Sequence, residues 1–125
     1  MEHLPTISKS LLTEAGYKCW KEDPTDHTLR RWQKRILNNE GQTKYFINVD
    51  ETRGWANPNL PVEESDHNFW PDMQFEVDVN GKSPSIQISL VQWFNESGQW
   101  SGITIQQMEA YCESVWSRLN GKMYE

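Results

Sequence analysis

The chain has 125 residues, of which 24% are charged, and a net charge of −6. This is the size and composition of one globular domain that can bury its own core without disulfides or metal. No apolar run is long enough to span a bilayer, and the first residues lack the basic and then apolar pattern of a signal peptide. These features exclude a membrane-spanning protein, and we expect a protein of the host cell cytoplasm.

The charge is unevenly distributed along the chain. Residues 1–49 carry eight Lys or Arg against six Asp or Glu, whereas residues 50–125 carry four against twelve. An acidic chain is poorly suited to tracking nucleic-acid phosphates, but it can bind a basic protein surface, including one that normally holds nucleic acid. The alternative is that the charge only maintains solubility. Seven tryptophans exceed what a small core needs, and surplus aromatic residues are typical of interfaces.

The two cysteines, Cys19 and Cys112, are far apart and form no CxxC motif. We expect both to be reduced thiols packed in the interior. A disulfide or a redox switch is the alternative.

The first predicted element is a short helix over residues 6–15, and Gly16 stands where a helix commonly ends. Residues 17–20 should then pack onto the core, and the polar, proline-containing residues 21–27 predict a loop. The apolar residues that share one face of this helix are Ile7, Leu11 and Ala15.

A first hairpin is predicted from two strands, 29–37 and 44–50, joined by a turn that contains Gly41. Its return strand alternates apolar and polar residues, whereas Lys34 interrupts the apolar side of its outgoing strand. Because a charged residue often protects a sheet edge, we expect the outgoing strand to lie at an edge. There it could pair with a second copy of the chain to form a homodimer.

Residues 51–72 show no periodicity and contain three prolines, which predicts a long loop. Trp55 and Trp70 should attach its ends to the body of the protein. The loop also carries an acidic cluster, formed by Glu63, Glu64 and Asp66.

A second hairpin is predicted over residues 73–94. Asn80-Gly81 is the strongest short-range signal for a hairpin turn, because both residues tolerate a positive φ. The apolar residues that alternate with polar ones, and should face the core, are Phe75, Val77, Val79, Ile86, Ile88 and Leu90.

The last predicted element is a helix that begins with a capping box formed by Thr104 and Gln107. Gly121 should end it. Its apolar residues are spaced three and four apart: Ile105, Met108, Cys112, Val115, Trp116 and Leu119.

The order of these elements predicts an α+β fold. We expect a single domain over residues 1–125, with a four-stranded antiparallel sheet made of two hairpins. A short N-terminal helix and a C-terminal helix should pack on one face of the sheet.

Several stretches together resemble a group of short phage and prophage proteins of unassigned function. They are Gly16–Lys18, Trp32–Arg35, Lys44–Val49, Phe75–Val77 and the pair Val115-Trp116. The resemblance covers about residues 12–120. It implies a compact α+β domain and a phage or mobile-element setting, and it implies no site residues.

The sequence contains no Gly-rich phosphate loop, GxSxG or HExxH motif, and its cysteines and histidines do not have zinc-site spacing. His67 beside the acidic cluster could hold a divalent ion, as could His27 beside Asp23 and Asp26. We interpret both groups as solvated acidic loops, and therefore expect no enzyme, metal or cofactor.

We expect a small acidic interaction protein that binds and inhibits a host protein. In a phage setting this would be an anti-defence protein, such as an anti-CRISPR or anti-restriction protein. Its candidate binding residues lie on the polar face of the sheet or in the acidic loop: Arg31, Gln33, Arg35, Phe46, Asn48, Trp55, Glu63, Glu64, Asp66, Trp70, Glu76 and Asp78.

Two alternatives stay open. One is a single-stranded nucleic-acid binder that uses the basic first hairpin, where aromatic and Arg side chains can stack on bases. The same basic residues could instead pair with acidic ones across the sheet. They are Arg30, Arg31, Lys34, Arg35 and Lys44. The other alternative is an immunity protein that neutralises a toxin through the acidic loop.

Overall fold

A computed structural model describes residues 9–21, 28–53, 67–90 and 104–124. Within these ranges the chain is α+β, as the sequence predicts, with two helices and six strands. In chain order the elements are α1 (Lys9–Glu14), β1 (Lys18–Lys21), β2 (Thr28–Leu37), β3 (Thr43–Arg53), β4 (His67–Val77), β5 (Ser85–Ser89), α2 (Ile105–Arg118) and β6 (Gly121–Lys122).

The strands form one antiparallel sheet in the order β1-β2-β3-β4-β5, and β6 pairs with β4. Both predicted hairpins, β2–β3 and β4–β5, are present. The prediction of four strands is wrong, because β1 and β6 add to the sheet. These two strands are four and two residues long, too short for an alternating pattern to reveal them in the sequence.

The expectation that the outgoing strand β2 lies at a sheet edge is wrong. β1 pairs with it from Gln33 to Arg31, so β1 is the last described strand on that side. Lys34, which suggested the edge, reaches the C-terminal helix instead, where its Nζ lies 2.7 Å from Oε1 of Glu109. A charged residue can face the core side of an internal strand when a carboxylate of opposite charge meets it there.

The turn between β2 and β3 is confirmed. Gly41 has a φ of +83°, and Oδ1 of Asn38 accepts hydrogen bonds from the backbone N–H groups of Glu40 and Gln42, both at 2.9 Å. The Asn38 side chain therefore closes the turn from within.

A bulge follows this turn in β3. Ile36 lies opposite Tyr45, but Leu37 lies opposite Thr43, so Lys44 is an extra residue without an opposite partner. A bulge changes the direction of side chains locally. Lys44, which strict alternation would place on the polar face, consequently reaches α2.

Strands occupy both ends of the predicted 51–72 loop, because β3 continues to Arg53 and β4 begins at His67. The middle of that loop, residues 54–66, lies outside the described residues. Pro71 hid the start of β4 in the sequence, because proline is usually absent from internal strands. Pro71 is tolerated because it lies opposite Leu90, the residue after β5, at the end of the β4–β5 ladder. Leu90 N–H donates to the Pro71 carbonyl oxygen at 2.9 Å. Proline has no N–H, so the single bond that is lost is the one that residue 71 would donate back to Leu90.

The Asn80-Gly81 turn is confirmed, with φ values of +54° and +81°. The backbones of Val79 and Lys82 exchange hydrogen bonds of 2.9 and 3.0 Å across it. Val79, however, is 48% exposed, so its prediction as a core residue is wrong. β4 has already ended at Val77, and the tip of the hairpin extends beyond the core. Residues 91–94 of this hairpin lie outside the described residues.

α1 begins at Lys9 in the described part of the chain, and residues 6–8 of the predicted helix lie outside it. Gly16 ends this segment with a φ of +94°, and Tyr17 N–H donates to the carbonyl oxygen of Leu12 at 2.9 Å. The helix buries Leu12, whereas Leu11 is 37% exposed, so the predicted face is wrong by one position. A helix of fewer than two turns is oriented by its neighbours rather than by its own periodicity. Tyr17 is buried, as expected of residues 17–20, but Trp20 is not.

The capping box of α2 is confirmed. Gln107 N–H donates to Oγ1 of Thr104 at 3.1 Å, and Thr104 N–H donates to Oε1 of Gln107 at 2.9 Å. Four residues of the predicted apolar stripe are buried: Ile105, Met108, Cys112 and Val115.

The end of α2 differs from the prediction. The helix stops at Arg118, Leu119 is exposed, and Asn120 takes the positive φ of +54°. Gly121, predicted to end the helix, begins β6. A Cβ atom at Gly121 would overlap the ring of Trp116, so this glycine is required for the close approach of β6 to the helix.

The core lies on one side of the sheet, here called the inner face. Its buried residues come from α1, β2, β3, β4, α2 and the segments beside them: Leu12, Tyr17, Trp32, Tyr45, Ile47, Val49, Met73, Phe75, Val77, Leu90, Ile105, Met108, Cys112 and Val115. The other side, the outer face, carries the strand residues that alternate with them.

Candidate protein-interaction face

The outer face consists of rows of side chains that cross the sheet perpendicular to its strands. Opposite residues on neighbouring antiparallel strands point to the same side of a sheet, so the pairing of β1 to β5 defines which residues share a row. Three rows contain six of the twelve predicted binding residues.

The first row contains a charge pair between two exposed tryptophans. Arg31 lies opposite Asp50, and Nε of Arg31 is 3.4 Å from Oδ1 of Asp50. Trp70 follows on β4 and donates its Nε1–H to Oγ1 of Thr52 at 2.7 Å. On β1, Lys21 lies opposite Arg31, and the irregularity between Cys19 and Lys21 leaves Trp20 as the extra residue beside this pair. Trp20 is 53% exposed and Trp70 is 37% exposed.

The second row is a ladder of polar side chains. Lys18, Gln33, Asn48, Asp72 and Ser89 lie opposite one another on five strands. Nε2 of Gln33 donates to Oδ1 of Asn48 at 2.8 Å, and Nδ2 of Asn48 donates to Oδ1 of Asp72 at 3.0 Å.

Asp72 is a partly buried carboxylate in this ladder. Burial raises its pKa above the ordinary value of 3.8, although hydrogen bonds from Asn48 and Gln87 act in the opposite direction. The negative charge of Asp50 raises the pKa further, and the positive charge of Arg31 lowers it. The first two rows are therefore electrostatically connected.

The third row contains Arg35, Phe46, Gln74 and Gln87. Arg35 is exposed and Phe46 is half-buried. The ring of Tyr124 packs edge-on against Phe46, with centroids 5.2 Å apart, and Tyr124 N–H donates to the carbonyl oxygen of Thr43 at 2.8 Å. The C-terminal segment thus extends the aromatic part of the outer face.

The structure brings seven of the predicted binding residues together on this face: Arg31, Gln33, Arg35, Phe46, Asn48, Trp70 and Glu76. Asp78 does not join them. It lies beyond the end of β4, where its Oδ1 accepts a hydrogen bond from Gly81 N–H at 3.1 Å, so it stabilises the turn. The other four predicted residues lie outside the described residues: Trp55, Glu63, Glu64 and Asp66.

Sequence reasoning missed Lys18, Trp20, Asp50 and Asp72 as members of this face. β1 was too short to be recognised as a strand, and Pro71 made the start of β4 resemble a loop. Asp50 ended the predicted strand, although the real strand continues past it. Only the alternation of Phe69, Pro71 and Met73 could have indicated that Trp70 and Asp72 share the opposite face.

The basic cluster of the first hairpin is divided between the two faces. Arg31 and Arg35 lie on the outer face, and Arg31 pairs with Asp50 as the sequence suggested. The other three basic residues lie on the inner side, each within an ion pair: Arg30 with Glu51, Lys34 with Glu109 and Lys44 with Glu113.

In two of these inner pairs the carboxylate lies on α2. Each of these two carboxylates accepts hydrogen bonds from one lysine and one tyrosine outside the helix. Glu109 accepts hydrogen bonds from Nζ of Lys34 at 2.7 Å and from the Tyr17 hydroxyl at 3.3 Å. Glu113, one helical turn later, accepts from Lys44 and from the Tyr45 hydroxyl, the latter at 2.8 Å.

These carboxylates change the ionisation of their neighbours. Burial raises the pKa of the Tyr17 hydroxyl, and the negative charge of Glu109 raises it further. Burial also raises the pKa of Tyr45, together with the hydrogen bond that Tyr45 donates to Glu113. Burial raises the pKa of the Cys112 thiol to about 12, so Cys112 is a packed thiol, as expected. Cys19 is exposed, and the expectation that it is packed is wrong.

The two groups of histidine and acidic residues that we interpret as solvated loops are not defined by the structure, since their carboxylates lie outside the described residues. Within the four described ranges, no three His, Cys, Asp or Glu residues form a group that could hold a metal ion. In the same ranges, neither helix has the length and apolar character needed to cross a membrane.

The outer face therefore combines exposed tryptophans, two arginines and a hydrogen-bonded polar ladder. Comparison of the chain with known protein families, curated proteins and solved structures finds no match.

Proposed function

We propose that this protein is a small non-enzymatic interaction protein that binds a host protein through the outer face of its sheet. Among the described residues, both helices contribute buried side chains to the core on the inner face, and the partner would meet the outer face. The observation that carries the proposal is the first row, in which Trp20 on β1 and Trp70 on β4 lie on either side of the Arg31–Asp50 pair. Trp and Arg are the residues most enriched among those that dominate binding energy at interfaces.

The charge of the face indicates the kind of partner. Lys18, Arg31 and Arg35 lie on β1 and β2, whereas Asp72 and Glu76 lie on β4. A partner surface with acidic and basic areas in the matching order would be oriented by this gradient. The excess of negative charge in residues 50–125 favours a partner that is basic overall.

In its finer form the proposal is that a phage or mobile element encodes this protein to inhibit a host defence protein. The resemblance to short phage proteins and the acidity of the chain support an anti-CRISPR or anti-restriction role. An acidic protein that covers a nucleic-acid-binding surface needs no catalytic residues to inhibit it.

Capture of a partner by tagged variants tests the binding surface. Wild-type protein and K82E, whose substitution lies at the exposed hairpin tip, should recover the same stoichiometric host protein. W70A and R35E should lose it. Recovery of no stoichiometric protein by the wild type, or equal recovery by all four proteins, would contradict the proposal.

A phage-plating assay tests the inhibitory role. Expression of the wild-type protein in cells with an active CRISPR or restriction system should raise the plating efficiency of a targeted phage, and W70A should not. Unchanged plating efficiency against every defence system of the host would contradict the anti-defence role and leave the interaction role to the capture experiment.

A single-stranded nucleic-acid binder is the second candidate, because Arg35 and Phe46 lie opposite each other on the outer face and Arg31 lies on the same face two rows away. It is less well supported, since the other three basic residues of that hairpin form ion pairs on the inner side. Titration with oligonucleotides at low salt decides between the two: quenching of tryptophan fluorescence that weakens with salt would favour this candidate.

A further inference from the structure

We propose that a second copy of this chain docks on the outer face, with the two sheets packed face to face. The two-fold axis runs parallel to the strands, between β2 and β3. The proposal rests on the order of side chains in the three rows, because each row is complementary to itself when it is reversed.

The geometry follows from the symmetry. Rotation about this axis places β2 of one copy over β3 of the other, and β1 over β4. Each row then lies over the same row of the second copy, read in the opposite direction. Aligned sheets pack about 10 Å apart and their strands cross at about 30°. Because the crossing displaces residues more with distance from the axis, residues of β2 and β3 lie most nearly over their counterparts.

In the first row, Arg31 lies over Asp50 of the second copy. Because Arg31 already pairs with Asp50 of its own chain, the two copies form a closed set of four alternating charges. Farther from the axis, β1 lies over β4, and Trp20 at the β1 irregularity comes near Trp70 of the second copy. Stacking of two exposed tryptophans removes apolar surface from water at both ends of the row.

In the second row, Gln33 lies over Asn48 of the second copy, and Lys18 lies over Asp72. Amide side chains can donate to and accept from each other, and the lysine and the carboxylate have opposite charges. The Lys18–Asp72 contact is specific to the dimer, because three strand spacings of about 4.8 Å separate the two residues within one chain.

In the third row, Arg35 lies over the ring of Phe46 of the second copy. A guanidinium over an aromatic face is attracted by its negative potential. All three rows thus contribute favourable contacts, and the two-fold symmetry makes each of them twice.

The alternative axis, perpendicular to the strands through the second row, gives unfavourable contacts. It would place Arg31 over Arg35 of the second copy and Lys18 over Lys18. Like charges in direct opposition weaken an interface. Charge complementarity therefore selects the axis parallel to the strands.

The size of the face indicates how strong the association is. The four strands that overlap, β1 to β4, and the three rows cover about 20 Å on each side, or about 400 Å² per copy. This area is below that of stable interfaces and is typical of weak, transient ones. We expect a reversible dimer. If the proposed function holds, a partner protein would compete with the second copy for the same face. The dimer itself does not depend on that function, and its test uses the purified protein alone.

Light scattering after size exclusion, and sedimentation at increasing concentration, test the dimer. The mass of the wild-type protein should rise from 14.7 kDa towards twice that value. K18E places a carboxylate over Asp72, and R35E places one over the Phe46 ring. Each should weaken the dimer at least about tenfold, and D72N should restore association in the K18E background.

K82E is the matched control, because it makes the same charge change at the exposed hairpin tip and should leave the association unchanged. Circular dichroism checks that every variant is folded, and both tested positions are exposed. R35E also distinguishes this dimer from one formed by edge-to-edge pairing of β1, because the substitution should not affect a β1 edge dimer. A wild-type protein that stays monomeric up to about 1 mM, or a dimer that both K18E and R35E leave intact, would overturn the proposal.

Discussion

At the scale of single residues, a buried carboxylate organises one end of the inner face. Glu51 is 1% exposed. Its Oε2 pairs with Nη1 of Arg30 at 2.9 Å, and its Oε1 accepts a hydrogen bond from Trp32 Nε1–H at 3.0 Å. A buried carboxylate is costly unless a counter-charge and hydrogen bonds compensate for its lost hydration.

We expect E51A to destabilise the protein by about 3–5 kcal/mol, because it removes the buried carboxylate that pairs with Arg30 and accepts the hydrogen bond of Trp32. Urea denaturation measures the change in the free energy of unfolding. E51Q is the matched comparison: it keeps the shape and one acceptor and should cost less. A loss below about 1 kcal/mol for E51A would show that the pair contributes little.

At the scale of elements, carboxylates on α2 connect the helix to two strands and to the end of α1. Burial raises the pKa of Glu113, but the hydrogen bonds from Lys44 and Tyr45 and the charge of Lys44 outweigh it, so the pKa lies below the ordinary value of 4.5. The folded state therefore favours the ionised form, and this contribution to stability is present above about pH 4.5 and is lost as the pH falls through the lowered pKa.

We expect E113Q to be less stable than the wild type at pH 7 by about 0.5–1 kcal/mol, since solvent screens this partly exposed pair. The difference should close below about pH 4. Chemical denaturation across the pH range measures it.

D72N is a control for this pH series, because its effect on the free energy of unfolding should have the opposite dependence on pH. The pKa of Asp72 is raised by burial, so ionisation costs stability as the pH rises. D72N should equal or exceed the wild type at pH 7 and lose that advantage in acid. A gap for E113Q that is the same at every pH would contradict the role of its charge.

Gly121 is the point at which the end of α2 meets the sheet. We expect G121A to destabilise the protein by about 1–3 kcal/mol, because its Cβ would overlap the Trp116 ring and β6 would have to move. Thermal denaturation, together with hydrogen exchange at Lys122, measures this effect.

Gly41 provides a matched Gly→Ala comparison. It has a positive φ and open space around its Cβ position, so G41A should cost only about 1–2 kcal/mol of backbone strain and leave exchange at Lys122 unchanged. Normal exchange in G121A would mean that Trp116 adjusts instead of β6.

At the scale of the whole molecule, one core cluster joins residues from both helices and from the internal strands of the sheet. We expect these elements to unfold together, because none can bury its apolar face alone. Denaturation followed by tryptophan fluorescence and by far-ultraviolet circular dichroism should give coincident transitions. Two separated transitions would show that the sheet and the helices are independent units.

The sequence alone determined what depends on local patterns. The α+β class, both hairpins, the Asn80-Gly81 turn and the capping box of α2 follow from alternation, turn residues and helix spacing. These are short-range signals, because they reflect the backbone geometry of a few consecutive residues. Alternation was also enough to place Arg31, Gln33, Phe46 and Asn48 on one face of the sheet.

Only the tertiary structure decided the features that depend on distant partners. β1 and β6 exist because β2 and β4 offer them hydrogen bonds, and Pro71 fits its strand because of where β5 ends. The bulge at Lys44 brings this residue to the inner side. There Lys44 and Lys34 pair with carboxylates of α2, and Arg30 pairs with Glu51. The order of residues across the outer face, on which its self-complementarity rests, arises from strand register, and register joins residues that are far apart in the sequence.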